Sequence, residues 1–467
     1  MFERNITSFG AIGDGRYDNS EAFSAACNAV KEAGGGILHV SAGIWKTGPL
    51  ELFSNTSLVL EENSVISFIP DPDRYKPVWT RWEGVECYGM HPLVFADNQE
   101  RIRITGKGAF DGSGAVWWAM LQEKRKNGQK SPATPGEQAL SRLNPGYEKQ
   151  PSGGGSREMQ FLRPPLVQFR KCASIYLEGF SLRNSPFWTL HPVFCTDVTI
   201  RDIHITNPAD APNTDGMDID SCENVLIERC EVAVGDDGIA IKSGSGEDGI
   251  KANKPSQNIA VRRCIVKNGH GGIVIGSETA AGIFNVTAEH CLFQGTDRGI
   301  RIKTRRGRGG QISNLHFKHL TMENNLCPVV INMFYRCGAA LSDGWFTLEP
   351  LPVVYTTPSI KNVVIEDIKA TGCRASAGFI AGLPESPVRN LSISDSEFAT
   401  NESDPAHPDE SDMFLGLPEA SAKSFRVINA YEPVFSNVKF SAESAEFDLA
   451  FCTANSDNHY TTEPFQN

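Results

Sequence analysis

Three aspartates and one histidine stand in three short strings whose residue types suit acid and base chemistry. Crowded carboxylates repel one another, so their surroundings push their pKa values apart and can yield one general acid and one general base. Paired carboxylates in these two roles are typical of glycoside hydrolysis. A lone Asp-Gly or Asp-Asp is more often a turn residue, so the interpretation depends on the coincidence of several strings. The strings are Asn213-Thr-Asp215, Gly235-Asp-Asp237 and Gly269-His-Gly271.

A repeat between residues 197 and 337 predicts how these strings are positioned. Its units begin 27, 34, 27 and 29 residues apart, and apolar residues recur six and eight positions after each start. Short strands with period-two alternation, and no amphipathic helix inside the repeat, predict a strand solenoid. The units begin Asp197-Val-Thr-Ile, Asn224-Val-Leu-Ile, Asn258-Ile-Ala-Val, Asn285-Val-Thr-Ala and Asn314-Leu-His-Phe.

The register of this repeat gathers the candidate residues on one face. Equivalent residues of successive coils stack about 4.8 Å apart in a parallel sheet. Asp236 and His270 occupy the same position of the repeat, and Asp215 comes level with Asp237 when the second strands are aligned on their glycines. Asp297 shares the position of His270 and is predicted to be a structural acid paired with its neighbour Arg298.

The second strand of the repeat also predicts an outward pair of cations. Ile300 and Ile302 match the inward positions, which leaves Arg301 and Lys303 facing outward beside the acids. The basic run that ends at Arg308 extends this patch, with a solvated turn as the alternative. The position six residues after the start of each unit points inward, and in three units it holds a cysteine. We expect these cysteines to be core residues without a redox or metal role. These are Cys230, Cys264 and Cys291.

The chain is predicted to be one all-β catalytic domain over residues 1–467, a single-stranded parallel β-helix with an N-terminal capping helix. Residues 1–45 form the cap, in which Asp18-Asn-Ser-Glu21 resembles a capping box. The stretches 71–92 and 112–165 break the repeat and are expected as loop inserts over the cleft. Residues from about 400 to 467, with an acidic stretch at 401–412, are expected as C-terminal loops and tail.

Composition narrows the classes of partner. Basic residues number 44 and acidic residues 56, for a formal net charge of −12, so neither nucleic acid nor an anionic membrane is a predicted partner. We find no signal-peptide pattern and no membrane-spanning apolar run, which predicts a cytoplasmic protein. A secreted or periplasmic location would follow if a leader had been removed. The 12 cysteines include no Cys-x-x-Cys, so no metal site is predicted from them.

The ordered strings, completed by Arg301-Ile-Lys303, resemble the four signature motifs of the polygalacturonase family, the family 28 glycoside hydrolases. The strings at 9–15 and 43–49 resemble its bacterial, exo-polygalacturonase-like branch, and the likeness covers about residues 6–400. The resemblance implies a right-handed β-helix and an inverting, cofactor-free and metal-independent hydrolysis of α-linked galacturonic acid.

The resemblance also implies a role for each matching residue. Asp236 would be the general acid, Asp215 and Asp237 would orient and deprotonate the attacking water, and His270 would tune the acid. Residues expected to bind substrate are Asn213, Arg301, Lys303 and Tyr335. An outward Arg and Lys suit a uronate carboxylate better than a neutral sugar. Carboxyls one coil apart could be closer than the roughly 6.5 to 9.5 Å of inverting enzymes, so spacing alone could predict retention.

The two inserts could close one end of the groove, and a cytoplasmic enzyme would meet short substrates. We therefore predict an exo-acting enzyme whose partner is a galacturonate-containing oligosaccharide, with Trp82, Glu83 and Trp188 as wall residues of the closed end. The alternatives are a rhamnogalacturonan-type or xylogalacturonan-type hydrolase, a calcium-dependent β-helical lyase with an unsaturated product, and a non-catalytic carbohydrate-binding solenoid. No oligomeric state is predicted.

Overall fold

The computed structural model describes residues 2–150, 154–401, 425–440 and 459–461. The chain divides into two compact units, Met1–Asp236 and Asp237–Asn467. A single domain over the whole chain stays a prediction. Most of the predicted C-terminal loops and tail, including nearly all of the acidic stretch 401–412, lies outside the described residues.

The first unit is built from short strands that pair in parallel, except for the antiparallel pair of Pro77–Trp82 and Val85–Met90. They are β1 (Phe2–Asn5), β2 (Asp14–Asp18), β3 (Gly36–Val40), β4 (Gly43–Thr47), β5 (Leu50–Glu51), β6 (Thr56–Leu60), β7 (Ser64–Phe68), β8 (Pro77–Trp82), β9 (Val85–Met90), β10 (Val94–Asp97), β11 (Glu100–Gly106), β12 (Ala109–Asp111), β13 (Val167–Arg170), β14 (Ala173–Glu178), β15 (Ser181–Arg183), β16 (Leu190–Val193), β17 (Thr196–Arg201), β18 (His204–Thr206), β19 (Met217–Asp220), β20 (Glu223–Glu228) and β21 (Glu231–Ala233). Three parallel ladders run through this unit, in the orders β5-β10-β13-β16-β19, β1-β3-β6-β11-β14-β17-β20 and β2-β4-β7-β12-β15-β18-β21.

The second unit has the same parallel construction. Its strands are β22 (Asp237–Lys242), β23 (Ser256–Arg262), β24 (Ile265–Lys267), β25 (Gly271–Gly276), β26 (Ile283–Glu289), β27 (Leu292–Gln294), β28 (Arg298–Lys303), β29 (Gln311–Glu323), β30 (Cys327–Asn332), β31 (Ser359–Cys373), β32 (Gly378–Ala381), β33 (Val388–Thr400), β34 (Phe425–Ile428), β35 (Ala430–Tyr431), β36 (Val434–Phe440) and β37 (His459–Thr461). One ladder runs β22-β25-β28-β30-β32-β34, and a second runs β23-β26-β29-β31-β33-β36-β37. The fold is a right-handed parallel β-helix with an N-terminal helix, and the predicted fold class is confirmed.

The predicted inward register is also confirmed. Ile273 pairs with Ile239 on one side and with Ile300 on the other, and all three side chains are buried. The glycine before each inward isoleucine has a packing reason. A Cβ at Gly272 would lie 2.4 Å from the ring of Phe293, because that ring fills the space where a side chain would project. The predicted core position of the repeat cysteines is confirmed as well, since Cys230, Cys264 and Cys291 are buried.

Asparagine begins most repeat units because of the backbone it must adopt. Asn258, Asn285, Asn314 and Asn362 have φ between 55° and 59°, a left-handed conformation that asparagine tolerates better than most residues. Their amides form a ladder: each Nδ2 donates to Oδ1 of the preceding member, across 2.9 to 3.0 Å. The asparagines therefore shape the corner of each coil and link successive coils.

The N-terminal helix forms without the predicted capping box. Helix α1 (Ser20–Glu32) buries Phe23, Ala26 and Val30 among others, as the apolar spacing predicts. Its N-cap is Asn19, whose side chain makes no hydrogen bond to the helix. Oδ1 of Asp18 instead accepts from the backbone N–H of Ser20 at 3.0 Å. The capping box is therefore wrong, because Asp18 caps the first turn one residue early.

The two inserts contain regular structure that the loop interpretation lacked. Residues 71–92 hold a 3₁₀ turn (Pro72–Arg74) and the antiparallel hairpin of β8 and β9, whose turn residues Glu83 and Gly84 both have positive φ. Residues 112–165 hold helices α2 (Gly114–Lys126) and α3 (Pro135–Leu143).

Further short helices are α4 (Gly246–Ala252) and the 3₁₀ turns Ile6–Phe9, Tyr147–Lys149, Arg157–Met159 and Leu341–Asp343. Among the described residues, no helix is both long and apolar enough to cross a bilayer.

Candidate active site

Asp215 and Asp236 form a close pair of carboxylates in the first unit. One carboxylate oxygen of each lies within 4.8 Å of the other. Asp215 is buried just before β19, and its carbonyl accepts from the N–H of Thr189 at 2.9 Å, while Asp236 is half-buried. Two carboxylates at this distance can divide the roles of acid and base, and they could also bridge a cation. The 4.8 Å bound joins the nearest oxygens and not whole carboxyl groups, which lie roughly 6.5 to 9.5 Å apart in inverting glycosidases, so it does not decide between retention and inversion.

The side chain of Asn213 is held by an arginine that the sequence patterns did not single out. Arg163, fully buried, donates from Nη2 to Oδ1 of Asn213 at 2.8 Å. It also donates from Nη1 to the carbonyls of Pro186 and Pro212, at 2.8 and 2.9 Å. Arg163 belongs to the 112–165 insert, where no repeat register applies. No sequence signal therefore predicts its contact with the Asn213-Thr-Asp215 string.

Asp237 lies in a buried ion-pair cluster of the second unit. Its Oδ1 accepts from Nη1 of Arg301 at 2.8 Å and its Oδ2 from Nζ of Lys303 at 2.6 Å. Burial alone would raise the pKa of Asp237, but the charges of Lys303, Arg301 and Lys242 outweigh it and hold that pKa far below its usual range. Asp237 is therefore a carboxylate at every ordinary pH.

Tyr335, which the resemblance implies as a sugar-contacting residue, lies beside the two cations. Its ring centroid is 5.5 Å from the guanidinium carbon of Arg301 and 5.1 Å from Nζ of Lys303. The tyrosine is 6% exposed, and its backbone N–H donates to the carbonyl of Thr304 at 3.1 Å. Cation–π contact of this kind keeps both cations close to Asp237.

A second buried ionic group stands beside this cluster. Nζ of Lys242 lies 3.0 Å from Oε2 of Glu278, and Nη1 of Arg308 lies 3.7 Å from Oε1. Burial opposes ionisation of Glu278, but Lys242, Arg308 and Lys303 together lower its pKa to about 2. The sequence analysis missed Lys242 and Glu278. Lys242 lies two residues after Ala240 on β22, at a position that the repeat register directs outward. The register could therefore have identified Lys242 from the sequence.

His270 is paired with an aspartate one coil away. Its Nδ1 lies 2.7 Å from Oδ2 of Asp297, and Arg298 donates from Nη1 to the same oxygen at 3.2 Å. Burial would raise the pKa of Asp297, but the hydrogen bond from His270 and the charge of Arg298 lower it. The predicted pairing of Asp297 with Arg298 is confirmed. The His270 side chain is 49% exposed, so Asp297 orients an imidazole whose other face is open to solvent.

The basic run after Lys303 is a structural element, so both predicted interpretations of it are wrong. Arg305, Arg306 and Arg308 are all buried. Arg306 pairs with Glu385 at 2.6 Å, and the guanidinium of Arg305 stacks 4.6 Å from the ring centroid of Trp345. These arginines fasten distant segments of the chain and present no open basic surface.

The three residues predicted to form the wall of the closed end are all buried. Trp82 and Trp188 are buried and sandwich Phe187, with ring centroids 4.8 and 5.2 Å away and nearly parallel planes. Glu83 is also buried, and its Oε1 accepts from the N–H of Gly155 at 2.7 Å. Trp82 and Glu83 therefore join the hairpin to the 112–165 insert, since the indole N–H of Trp82 also donates to the carbonyl of Arg163.

The β8–β9 hairpin covers the outward face of β13, β16 and β19. Nη1 of Arg81 lies 2.8 Å from Oδ1 of Asp220, with both side chains fully buried. Gln168 donates from Nε2 to the carbonyl of Arg81 at 3.2 Å and contacts Nδ1 of His191 at 2.9 Å. These polar residues face outward from their strands, yet the hairpin seals them from solvent. A substrate groove along this part of the sheet would therefore be closed.

A separate cavity of about 720 Å³ lies between the Pro72–Arg74 turn, the hairpin, α2 and α3. Its lining includes Tyr75, Met120, Lys124, Glu137 and Phe161, and it includes neither Asp215 nor Asp236. Lys124 and Glu137 pair across it at 2.5 Å. The cavity is therefore a property of the insert rather than of the carboxylates.

The candidate residues thus assemble in two groups that meet at one peptide bond. The first unit holds Asp215, Asp236 and the anchored Asn213, while the second holds Asp237 with its two cations. Asp236 and Asp237 are consecutive residues, so covalent structure joins the groups. A parallel β-helix with a close pair of carboxylates defines a β-helical glycoside hydrolase.

Comparison with known proteins gives the family. The profile of glycosyl hydrolases family 28 matches residues 150–406. A probable polygalacturonase of Vitis vinifera is 29% identical over 84% of this chain and 73% of its own length. An exo-poly-alpha-D-galacturonosidase of Dickeya chrysanthemi is 27% identical over 78% of this chain and 62% of its own length. The chain belongs to glycosyl hydrolase family 28.

A solved structure extends the match to almost the whole chain. The exopolygalacturonase of Thermotoga maritima is 34% identical, with a TM-score of 0.76 over 94% of this chain and 91% of the other. The family predicted from the four motifs is therefore confirmed.

Proposed function

We propose that the protein is an exo-acting polygalacturonase that hydrolyses α-1,4-linked galacturonic acid in pectin-derived oligosaccharides, with inversion at the anomeric carbon. The observation that carries the proposal is Asp237, a permanently ionised carboxylate held by Arg301 and Lys303 and bonded in sequence to the half-buried Asp236. This places anion-binding groups for a uronate within one peptide bond of an acid that can donate a proton.

In this mechanism Asp236 protonates the glycosidic oxygen as its bond to the anomeric carbon breaks. Asp215 and Asp237 accept hydrogen bonds from the attacking water, and one of them takes its proton as the water oxygen bonds to that carbon. Substrate also changes the state of Asp237. A uronate carboxylate competes with Asp237 for the hydrogen bonds of Arg301 and Lys303, and a carboxylate that loses such partners becomes more basic. Asp237 is therefore a weak base in the free enzyme and a stronger one when substrate is bound.

Exo action is supported by the closed groove. The Arg81–Asp220 ion pair fixes the hairpin over β13, β16 and β19, so a polymer cannot run across that part of the sheet. A chain end can still approach the carboxylates, and hydrolysis there releases short products. The Dickeya and Thermotoga relatives are named as exo-acting enzymes, which agrees with this geometry. The cytoplasmic location predicted from the sequence stays a prediction.

The proposal is tested by incubating the purified protein with trigalacturonate in the presence of a chelator. We expect galacturonate monomer and no ultraviolet absorbance from an unsaturated product. Asp236→Asn should lower kcat by about 10² to 10⁴-fold and still bind trigalacturonate, whereas Asp210→Asn, at an exposed position, should match the wild type. Absorbance that grows with added calcium would assign the chain to lyase chemistry, and activity only on decorated chains would assign it to a rhamnogalacturonan-type or xylogalacturonan-type hydrolase.

A further inference from the structure

Arg163 is a buried cation at the junction of three segments. It lies in the 112–165 insert, yet its guanidinium reaches the carbonyls of Pro186 and Pro212 and the side chain of Asn213. Its guanidinium carbon also lies 5.2 Å from the ring centroid of Phe187. One side chain therefore holds the segment before β16 and the segment before β19 in a fixed relationship.

This arginine is held without a carboxylate partner. Among the residues that the structure describes, no ion pair to Arg163 is present, and its side chain is fully buried. Burial lowers the pKa of Arg163, the charge of Arg125 acts in the same direction, and Glu83 and Asp236 oppose it. Removing a guanidinium from water without a counter-ion destabilises a fold by several kcal/mol. A charge retained at that cost points to a functional role at this place.

The segment that Arg163 holds carries Asp215. Asn213 has φ 57°, and the next residue, Thr214, is buried with its hydroxyl donating to the carbonyl of Ala211 at 3.0 Å. Asn207 donates from Nδ2 to the carbonyl of Thr214 at 3.3 Å. The bond from Arg163 to Asn213 completes this set and leaves the Asp215 segment little freedom to rotate.

The backbone of Arg163 is hydrogen-bonded to the hairpin. The indole N–H of Trp82, at the end of β8, donates to the carbonyl of Arg163 at 3.0 Å. The ring of Trp82 stacks on Phe187, over which the guanidinium lies. The hairpin thus contacts the backbone of Arg163, while the side chain of Arg163 contacts the segment that carries Asp215.

We propose that Arg163 is a positioning residue that couples the hairpin closing the groove to the placement of Asp215, acting through Asn213. The inference rests on the proposed exo-hydrolase function. This role accounts for the buried charge, because a guanidinium has enough donors, in a rigid plane, to fix two carbonyls and an amide at once. Lysine keeps the charge but lacks that planar fork.

The inference is tested by a double-mutant cycle on trigalacturonate hydrolysis. Arg163→Lys and Arg163→Gln should each lower kcat about tenfold or more and leave KM within about twofold, because Asp215 loses its position rather than the substrate its contacts. In an Asn213→Ala background, Arg163→Gln should lower kcat by clearly less than it does in the wild type, because of the two bonds from Arg163 to this segment only the one to the carbonyl of Pro212 is left.

The control is Arg306→Lys. Arg306 is also buried, and its guanidinium donates to Glu385 and to the carbonyl of Thr347, so its replacement removes no contact of Trp82 or Asn213. This variant should lose thermal stability while kcat stays at the wild-type value. Equal kcat losses from Arg306→Lys and Arg163→Lys would overturn the inference, as would additive effects of Arg163→Gln and Asn213→Ala. If the wild type releases no galacturonate from trigalacturonate, the proposed function fails first, and the two failures are therefore distinguishable.

Discussion

Lys303 donates from Nζ to Oδ2 of Asp237 across 2.6 Å, in a pair that is almost fully buried. The predicted role of Lys303 is to bind the uronate carboxylate, yet in this structure its partner is the carboxylate of Asp237. In the proposed mechanism both roles belong to one side chain, because substrate and Asp237 compete for the same ammonium group. That mechanism makes substrate binding and the basicity of Asp237 interdependent.

We predict that Lys303→Gln lowers kcat/KM for trigalacturonate by about 100-fold, with contributions from both KM and kcat. KM rises because a cation for the uronate is lost. The value of kcat falls because Asp237 loses the partner that orients it. The control is Lys318→Gln, which removes a part-exposed lysine paired with Glu289 at 3.3 Å and should leave both constants unchanged. A change in KM alone would assign Lys303 to substrate binding only.

The parts of the site that could be predicted are those fixed by the coil register. A repeat step places Ile300 and Ile302 inward, so it also decides the direction of Arg301 and Lys303 without knowledge of any distant segment. The paired acids follow from the same register. Local pattern and tertiary structure agree here because equivalent residues make equivalent contacts in every coil.

The parts that could not be predicted depend on contacts far apart in sequence. Arg81 and Asp220 are 139 residues apart, and no periodicity relates the hairpin to the strands it covers. The burial of Arg306 likewise follows from Glu385, which is 79 residues away. Charge runs predict solvent exposure only where nothing folds over them, and a single sequence contains no signal for that cover.

The Glu278 cluster predicts a stability that depends on pH. The folded pKa of Glu278, about 2, lies below the ordinary value of 4.5 for a free glutamate side chain, so its ionised form stabilises the fold. That contribution is fully present above pH 4.5 and is lost as the pH falls toward 2. The shift corresponds to about 3 kcal/mol.

Glu278→Gln should therefore lower the free energy of unfolding by about 3 kcal/mol at pH 6 and by clearly less at pH 3. Denaturant unfolding of variant and wild type at both pH values measures the difference. Glu247→Gln, on the exposed side of α4, serves as the control and should show no difference at either pH. A deficit of the same size at pH 3 as at pH 6 would contradict the assignment of an ionised, buried Glu278.

The His270–Asp297 pair predicts an effect on turnover. Asp297→Asn removes the carboxylate that fixes the imidazole at 2.7 Å and should lower kcat about tenfold, with KM little changed. A matched pair offers the control, since Nδ1 of His319 lies 2.6 Å from Oδ2 of Asp367 in the same relative geometry. Asp367→Asn should keep full activity. Steady-state kinetics on trigalacturonate distinguish the two, and equal losses would show that such pairs act only on stability.

The hairpin of β8 and β9 predicts the mode of attack. Replacing residues 78–89 by two glycines uncovers the outward face of β13, β16 and β19, and a polymer can then cross it. We expect the products from polygalacturonate to change from monomer to longer oligosaccharides, with a larger fall in viscosity for each bond cleaved. The rate should also fall, because Trp82 no longer supports Arg163, so the product pattern and not the rate is the measurement.

The control for this variant keeps the hairpin and changes only its surface. Trp79 lies on β8 with 43% exposure and contacts Tyr88 edge to face, with ring centroids 5.2 Å apart. Trp79→Ala should leave monomer as the product. If the shortened hairpin also releases only monomer, the groove is closed by another segment. The ion pair of Arg81 with Asp220 would then stabilise the sheet without deciding where the polymer is cut.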